Sequence, residues 1–226
     1  MSKLNQEEIL MENYKVIVEH CEKCFEKYGD TCKGVDWPNQ KDVETRYQVI
    51  LNIIDYYEMK YGKSDSYRIL DLGCGLGHLY EYSKTHVDNI QYTGLDISSV
   101  FVAKCREKYP EVEFICKDIL RENDLEKYDF IFMNGVFTEK LHMSYENMWN
   151  YFVEMLAKAY SHCNKGMAFN VMSKDVDWER DDLFHVPLNQ LSAWLTRHLT
   201  RNFVIRYDYG LYEYMVYVMK DHKKQE

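Results

Sequence analysis

Ile69-Leu70-Asp71-Leu72-Gly73-Cys74-Gly75-Leu76-Gly77 is the stretch on which the reading of this chain turns. An apolar run of strand length leads directly into three glycines at alternate positions. Without Cβ atoms the backbone can turn sharply there and lie against a ligand. The helix that follows offers free N–H groups at its start. A dinucleotide loop would read G-x-G-x-x-G and hold a pyrophosphate; here the third glycine comes one residue early, and an acid, Asp71, precedes the loop. A carboxylate beside that pocket repels pyrophosphate and favours a ligand with a positive centre.

Working outward, strand and helix patterns alternate. Residues 67–72, 91–95, 112–116, 128–133 and 165–172 read as strands. Helices are expected at 78–85, from the Ser98 cap to Pro110, from the Ser144 cap to about residue 163, and after Pro187. Residues 202–208 and 212–219, joined at Tyr209-Gly210-Leu211, read as a hairpin. Repeated β-α-β units predict a mainly parallel sheet with helices on both faces, and the hairpin must add an antiparallel strand. Upstream, residues 4–28 carry an apolar stripe through Leu10, Tyr14, Ile17, Cys21, Cys24 and Tyr28, and a second stripe runs from Val43 to Tyr61. Gly29, Gly34 and Pro38 break the chain between them. The expected division is a helical extension over 1–62 that forms a lid, and a ligand-binding domain over 63–226.

Composition excludes several classes. The chain has 226 residues, with Lys and Arg totalling 28 and Asp and Glu 37, a net charge of −9. Apart from a short Lys223-Lys224 tail the basic residues are scattered, so no nucleic-acid partner is expected. No apolar run approaches the ~20 residues of a membrane span, and the polar, acidic start does not read as a signal peptide. Seven cysteines, an odd number mostly inside apolar segments, fit buried free thiols in a reducing cytoplasm. Cys21-x-x-Cys24 beside His20 hints at a metal, but both cysteines fall on the helical stripe and no second pair follows, so core packing is the expectation and no metal is assigned.

Ligands of such sheets sit beyond the carboxyl ends of the strands. There, Tyr92-Thr-Gly-Leu-Asp96 ends in an acid that can accept from both hydroxyls of a ribose, and Phe114-Ile-Cys-Lys-Asp118 in one that can accept from an exocyclic amine. The next strand ends Phe132-Met-Asn134-Gly-Val-Phe137. As a set these segments resemble the class I S-adenosylmethionine-dependent methyltransferases, over about residues 64–220. The resemblance implies a Rossmann-like α/β/α sandwich, its seven-stranded, mostly parallel sheet closed by an antiparallel last strand, with S-adenosylmethionine as cofactor and S-adenosylhomocysteine as product. It implies that Gly73, Gly75 and Gly77 line the methionine part, that Asp96 with Ile97 holds the ribose, and that Asp118 with Ile119 faces the adenine. Asn134 falls where the family's fourth motif begins, but Asn134-Gly-Val-Phe137 departs from the Asn/Asp-Pro-Pro-Tyr/Phe pattern of many amino-group methyltransferases. The overall likeness extends to small methyltransferases of bacterial surface-polysaccharide clusters.

The expected reaction is therefore O-methylation of a small molecule, a sugar or sugar-nucleotide hydroxyl. A carboxylate acceptor and a cofactor-binding regulatory protein without turnover are the rivals, and a nicotinamide dehydrogenase is disfavoured by the glycine spacing. A hydroxyl acceptor calls for a base. His142, after the fourth strand, and His185, after the fifth, fall on the ligand side, with His142 preferred; His78 is assigned to packing or to lining the cofactor. Arg46, beside the second apolar stripe, either pairs with the cofactor's carboxylate or faces solvent. Trp37 and Phe137 are expected as stacking walls for the acceptor.

Overall fold

The computed structural model describes residues 3–121 and 124–221, with side chains from Tyr14 onward, so Leu10 of the first stripe and the Lys223-Lys224 tail lie outside the described residues. Helix α1 (Lys3–Tyr28) is followed by a 3-10 turn (Cys32–Val35) and by α2 (Gln40–Tyr61). Strands β1 (Tyr67–Leu72), β2 (Ile90–Asp96) and β3 (Glu113–Cys116) alternate with α3 (His78–Ser83) and α4 (Ser99–Lys108). Then come β4 (Tyr128–Phe137), α5 (Tyr145–His162), β5 (Cys163–Ser173), a two-residue β6 (His185–Val186), α6 (Leu188–His198), β7 (Phe203–Arg206) and β8 (Glu213–Met219).

The helix starts follow their caps. Ser98 and Ser144 accept from the backbone N–H three residues on, and Asn39 accepts from Lys41 N. The sheet runs β3-β2-β1-β4-β5-β8-β7, with β6 attached to β5. Strands β1 to β5 pair in parallel, and β8 pairs antiparallel with both β5 and β7. The path holds the seven expected strands, and the two-residue β6 adds a short eighth off it by taking up the end of β5 at Met172 and Ser173 beyond the last pair with β4. Strand order reverses between β1 and β4, and the crevice beyond their carboxyl ends is where this architecture binds ligands.

Period-two alternation sorts the strand side chains to two faces. Leu70, Ile131, Met133 and Phe169 pack with Phe152 and Leu156 of α5 and with Leu191 of α6. Ile69, Phe130, Phe132 and Ala168 pack with Ile50, Ile53 and Tyr57 of α2. Helix α2 is therefore one layer of the sandwich, not part of a separable lid as the 1–62 division supposed; only α1 and the turn after it remain outside the layers. All seven cysteines are unpaired; Cys74, Cys105 and Cys163 are buried, whereas Cys116 is exposed, against expectation. No helix among the described residues is long and apolar enough to cross a membrane.

An ion pair fastens α2 to the antiparallel strand. Arg46 donates from Nε to both carboxylate oxygens of Glu213, at 3.0 and 2.9 Å, and Glu213 is fully buried. Asn170 Nδ2 and Tyr209 OH also donate to it, at 3.2 and 3.3 Å. Burial pushes the Glu213 carboxyl above its ordinary range, and Arg46 pulls it back most strongly. Removing one partner of such a pair strands a buried charge, whereas replacing both is far milder. Arg46→Met is therefore expected to lower the free energy of unfolding by ~3–5 kcal/mol in urea denaturation. The double variant Arg46→Met/Glu213→Leu should recover most of that loss; equal destabilisation of both variants would show that the pair is not what holds α2.

Candidate functional site

The glycine loop after β1 is bent by positive backbone angles at Gly73 (φ +80°) and Gly75 (φ +51°). Gly73 N–H donates to Leu95 O at 2.7 Å, and Gly75 N–H to Asp96 Oδ2 at 2.8 Å, so the loop is fastened to the end of β2. A Cβ on Gly73 would stand 2.6 Å from Val136 Cγ2, and one on Gly75 would stand 3.3 Å from Val35 Cγ1. Gly77 turns away: a Cβ there would meet Tyr109 at 3.0 Å and Cys105 Sγ at 3.3 Å. It makes room for α4 rather than lining the crevice, which corrects its assignment to the ligand.

A cavity of about 310 Å³ opens over the loop. Asp71, Asp96 and Asp118, at the ends of three adjacent strands, all line it. Asp71 is buried and accepts from Tyr92 OH; desolvation lifts its carboxyl to about 7 despite that bond. Asp96 is also raised by burial, a shift opposed by the backbone N–H groups of Ser98 and Gly75. Its Oδ1 accepts from Ser98 N at 2.9 Å. Asp118 accepts Leu120 N on Oδ1 at 3.0 Å and Tyr14 OH on Oδ2 at 2.5 Å. Ile97 and Ile119 lie beside these acids on the same wall.

Strand β4 continues past Met133, where it was expected to end, through a register shift that reaches Phe137. The irregularity re-aims the side chains beside it, as bulges do. Asn134 lines the cavity, and its Oδ1 is buried without a hydrogen-bond partner among the described residues. Gly135 (φ +80°) donates to Asn170 Oδ1 at 2.8 Å, and Trp37 Cζ2 stands 2.5 Å from where its Cβ would be. Arg46 stacks on the Trp37 ring at 4.1 Å, and both line the cavity. Among the described residues only Nε of Arg46 has a hydrogen-bond partner, so Arg46 is buried rather than solvent-facing and keeps its terminal nitrogens.

Three expected residues are placed elsewhere. Phe137 is fully buried, edge-on to Phe152 at 4.8 Å, and is core rather than an acceptor wall. His142 lies exposed in the turn before α5 and does not reach the cavity. His185 is buried in β6, where Nδ1 donates to Ser173 O at 2.6 Å and Nε2 accepts from Arg180 N at 3.2 Å. With both nitrogens engaged by backbone it has no free lone pair, so the base assignment fails for either histidine. His78 lines the cavity and bonds Asp30 at 2.7 Å.

In their place the structure brings Asp36, Glu139 and Arg180 to the far end of the cavity, with His20 behind them. Glu139 follows β4 and is held by an antiparallel bridge to Leu183. Asp36, in the left-handed region at φ +60°, ends the 3-10 turn. Burial lifts the Glu139 carboxyl to about 9, helped by the neighbouring Asp36. Asp36 is raised by burial, but Glu139 and His20 beside it outweigh this and hold it below its ordinary range. Sequence reasoning missed Asp36 and Tyr14, which come from the segments before the sheet. Glu139 could have been found, since it stands three residues before His142 in the same post-strand loop. Ligand atoms of His20, Cys24 and Asp36 lie within 4.8 Å of one another. His20 Nε2 stands 2.7 Å from Asp36 Oδ2 and 3.8 Å from Cys24 Sγ, so the three side chains are joined by hydrogen bonds.

Residues 69–166 match the family model described as a methyltransferase domain. The chain is 29% identical over 163 residues to the protein named "Putative methyltransferase Rv1506c" of Mycobacterium tuberculosis, covering 70% of this chain and 95% of that one. It is 34% identical over 91 residues to the malonyl-[acyl-carrier protein] O-methyltransferase of Bacillus anthracis, a stretch that spans 38% of this chain but only 33% of that protein. Among solved structures, the plantazolicin methyltransferase BpumL in complex with a triazolic desmethylPZN analog and SAH superposes with a TM-score of 0.64 at 16% identity, over 98% of this chain and all of that one. Magnesium protoporphyrin IX methyltransferase from Synechocystis, with bound SAM, gives 0.59 at 15% identity over 96% and 97%. The matched region, residues 69–166, carries the glycine loop and the strand ends at Asp96 and Asp118 that line the cavity, and these likenesses support a class I S-adenosylmethionine-dependent methyltransferase.

Proposed function

We propose that the chain transfers the methyl group of S-adenosylmethionine to a hydroxyl of a small molecule, a sugar or sugar nucleotide being the class of first choice. The observation that carries the reading is the cavity itself, which joins the acid-ended strands to a second polar end at Asp36, Glu139 and Arg180. The residues present fit the cofactor. Gly73 and Gly75 form a cradle that side chains would fill, and the orphaned Asn134 Oδ1 waits for a donor. Asp96 would take the ribose, Asp118 with Ile119 the adenine, and the terminal nitrogens of Arg46 the carboxylate. Bound there, S-adenosylmethionine supplies a methyl already activated by its sulfonium, for in-line displacement that leaves S-adenosylhomocysteine. Asp71 adds negative charge close to that positive centre.

Helix α1 and the turn after it are proposed as the lid. Tyr14 bonds Asp118, Glu22 accepts from Ser98 Oγ at 2.5 Å, and Asp30 pairs with His78 and with Lys108 at 2.7 and 2.8 Å. A carboxylate acceptor is the second reading, favoured by Arg180 on the cavity wall and by the name of the Bacillus relative. The anionic pair of Asp36 and Glu139 weighs against it.

Four outcomes are expected. By calorimetry, Asp96→Ala and Gly75→Val should weaken binding of S-adenosylhomocysteine by ~10- to 100-fold, the scale of lost charge-assisted hydrogen bonds; unchanged affinity in both would refute the assignment. Asp71 is ionised only above about 7, so affinity for the cationic S-adenosylmethionine should strengthen from pH 6 to pH 8, and Asp71→Asn should flatten that rise. The same raised carboxyl stabilises the unliganded chain fully below the unfolded value and ceases to do so as pH rises through 7. Limited proteolysis should cut within residues 29–41 and be slowed by S-adenosylhomocysteine; cleavage indifferent to it would remove the lid. A labelled-methyl assay over sugars, sugar nucleotides and carboxylates should label hydroxyl acceptors. Label confined to carboxylates would select the second reading, and binding without any transfer would leave a regulatory protein.

A further inference from the structure

The far end of the cavity carries three titratable groups in contact, graded in exposure. The side chain of Glu139 is 17% exposed, and those of Asp36 and His20 are 35% and 36% exposed. His20 Nε2 lies 2.7 Å from Asp36 Oδ2 and 3.5 Å from Glu139 Oε2. Glu139 and Asp36 both line the cavity and stand on either side of His20 Nε2, and Glu139 Oε2 is buried without a hydrogen bond among the described residues. Two neighbouring carboxylates disfavour ionising together, so a proton held between them on the His20 side relieves the repulsion. The main chain around Glu139 is fixed by Phe184 N–H to Thr138 O at 2.8 Å and Lys140 N–H to Asp182 O at 2.9 Å. A carboxyl pinned in this way is placed, not merely near.

We infer that Glu139 is the proton acceptor for the methyl acceptor's hydroxyl, and that Asp36 and His20 form the path by which that proton reaches solvent. This rests on the hydroxyl-acceptor reading above. In the step, the bond from methyl carbon to sulfur breaks and the bond from methyl carbon to the acceptor oxygen forms. The sulfonium becomes a neutral thioether, and the O–H electron pair stays on the product ether oxygen. The proton passes to Glu139 and then by way of His20, which stands against both Glu139 and Asp36, to water. The balance is one proton released per methyl transferred, with no further reactant.

The groups facing Glu139 decide when it is able to act. Asp36 from the 3-10 turn and Asp182 from the 174–184 loop hold its proton on, Arg180 from that loop opposes them, and His20, Cys21 and Cys24 face it from α1. Burial and Asp36 place its ionisation at about 9, so turnover should climb through pH 7 to 9 with unit slope. Asp36→Asn removes the neighbouring charge, and its climb should shift to lower pH.

The test pairs a readout on the unliganded chain with one on turnover. Infrared titration of the chain alone should show a protonated carboxyl band that persists at pH 8, where Asp71 has largely ionised, disappears on the alkaline side and is missing in Glu139→Gln. Glu139→Gln should bind S-adenosylhomocysteine within about two-fold of wild type while losing ~10²-fold or more in turnover, and His20→Gln should slow turnover with binding kept. A variant Glu139→Gln that turns over within a few-fold of wild type overturns the inference, as does the absence of the carboxyl band in wild type. Activity abolished by a chelator and restored by zinc overturns it in favour of a metal at His20, Cys24 and Asp36. A wild type that fails to bind S-adenosylhomocysteine sinks the methyltransferase site itself, which the infrared band would not do; the two failures are thus distinguishable.

Discussion

Two glycines at the carboxyl ends of neighbouring strands leave no room for a side chain, and the crevice is arranged about them. Gly73 ends the first strand against Val136, and Gly135, on the neighbouring β4, lies under the Trp37 ring. Both adopt positive φ, which glycine enters without the steric penalty other residues meet. The two strands are adjacent and parallel, so their carboxyl ends part at the point where strand order reverses. Any Cβ at Gly135 would push Trp37 away, and with it the guanidinium of Arg46 and the carboxylate of Glu213. The cavity floor and the fastening of α2 are therefore one packed unit.

That unit sits in a field of buried acids. Asp71, Asp96 and Glu213 are each lifted by desolvation, and each is restrained by specific donors: a tyrosine hydroxyl, backbone N–H groups, and an arginine. Holding several carboxylates in a low-dielectric cleft is expensive, and proteins do so chiefly where a cation or a proton is handled. The chain's net charge of −9 agrees in sign, but the placement at strand ends says more than the total.

The parts of the fold set by local pattern were legible. The glycine loop, the Ser98 and Ser144 caps, Pro187 at the head of α6 and the final hairpin all declare themselves through turn chemistry or period. Strand ends carrying Asp96 and Asp118 followed from alternation alone. What sequence could not display was long-range. His185 sits in a two-residue strand that exists only because β5 outruns β4, and that pairing consumed both of its nitrogens. Phe137 was lost to the core because β4 extends through a register shift that no propensity announces. Tyr14 and Asp36 reach the cavity from segments whose own pattern speaks only of helix and turn.

The bond between Arg46 and Glu213 spans 167 residues of chain. A ribosome adding roughly 5–20 residues per second needs on the order of ten to thirty seconds to supply Glu213 after Arg46 has emerged. Throughout that interval the apolar face of α2, with Ile50 and Ile53, has β1 and then β4 to lean on but no antiparallel strand to lock it. Contacts of such sequence separation form slowly and late. The nascent chain thus carries a built, sticky helix layer that is completed only by one of its last strands, and its exposure to chaperones and to neighbouring nascent chains is set by that wait.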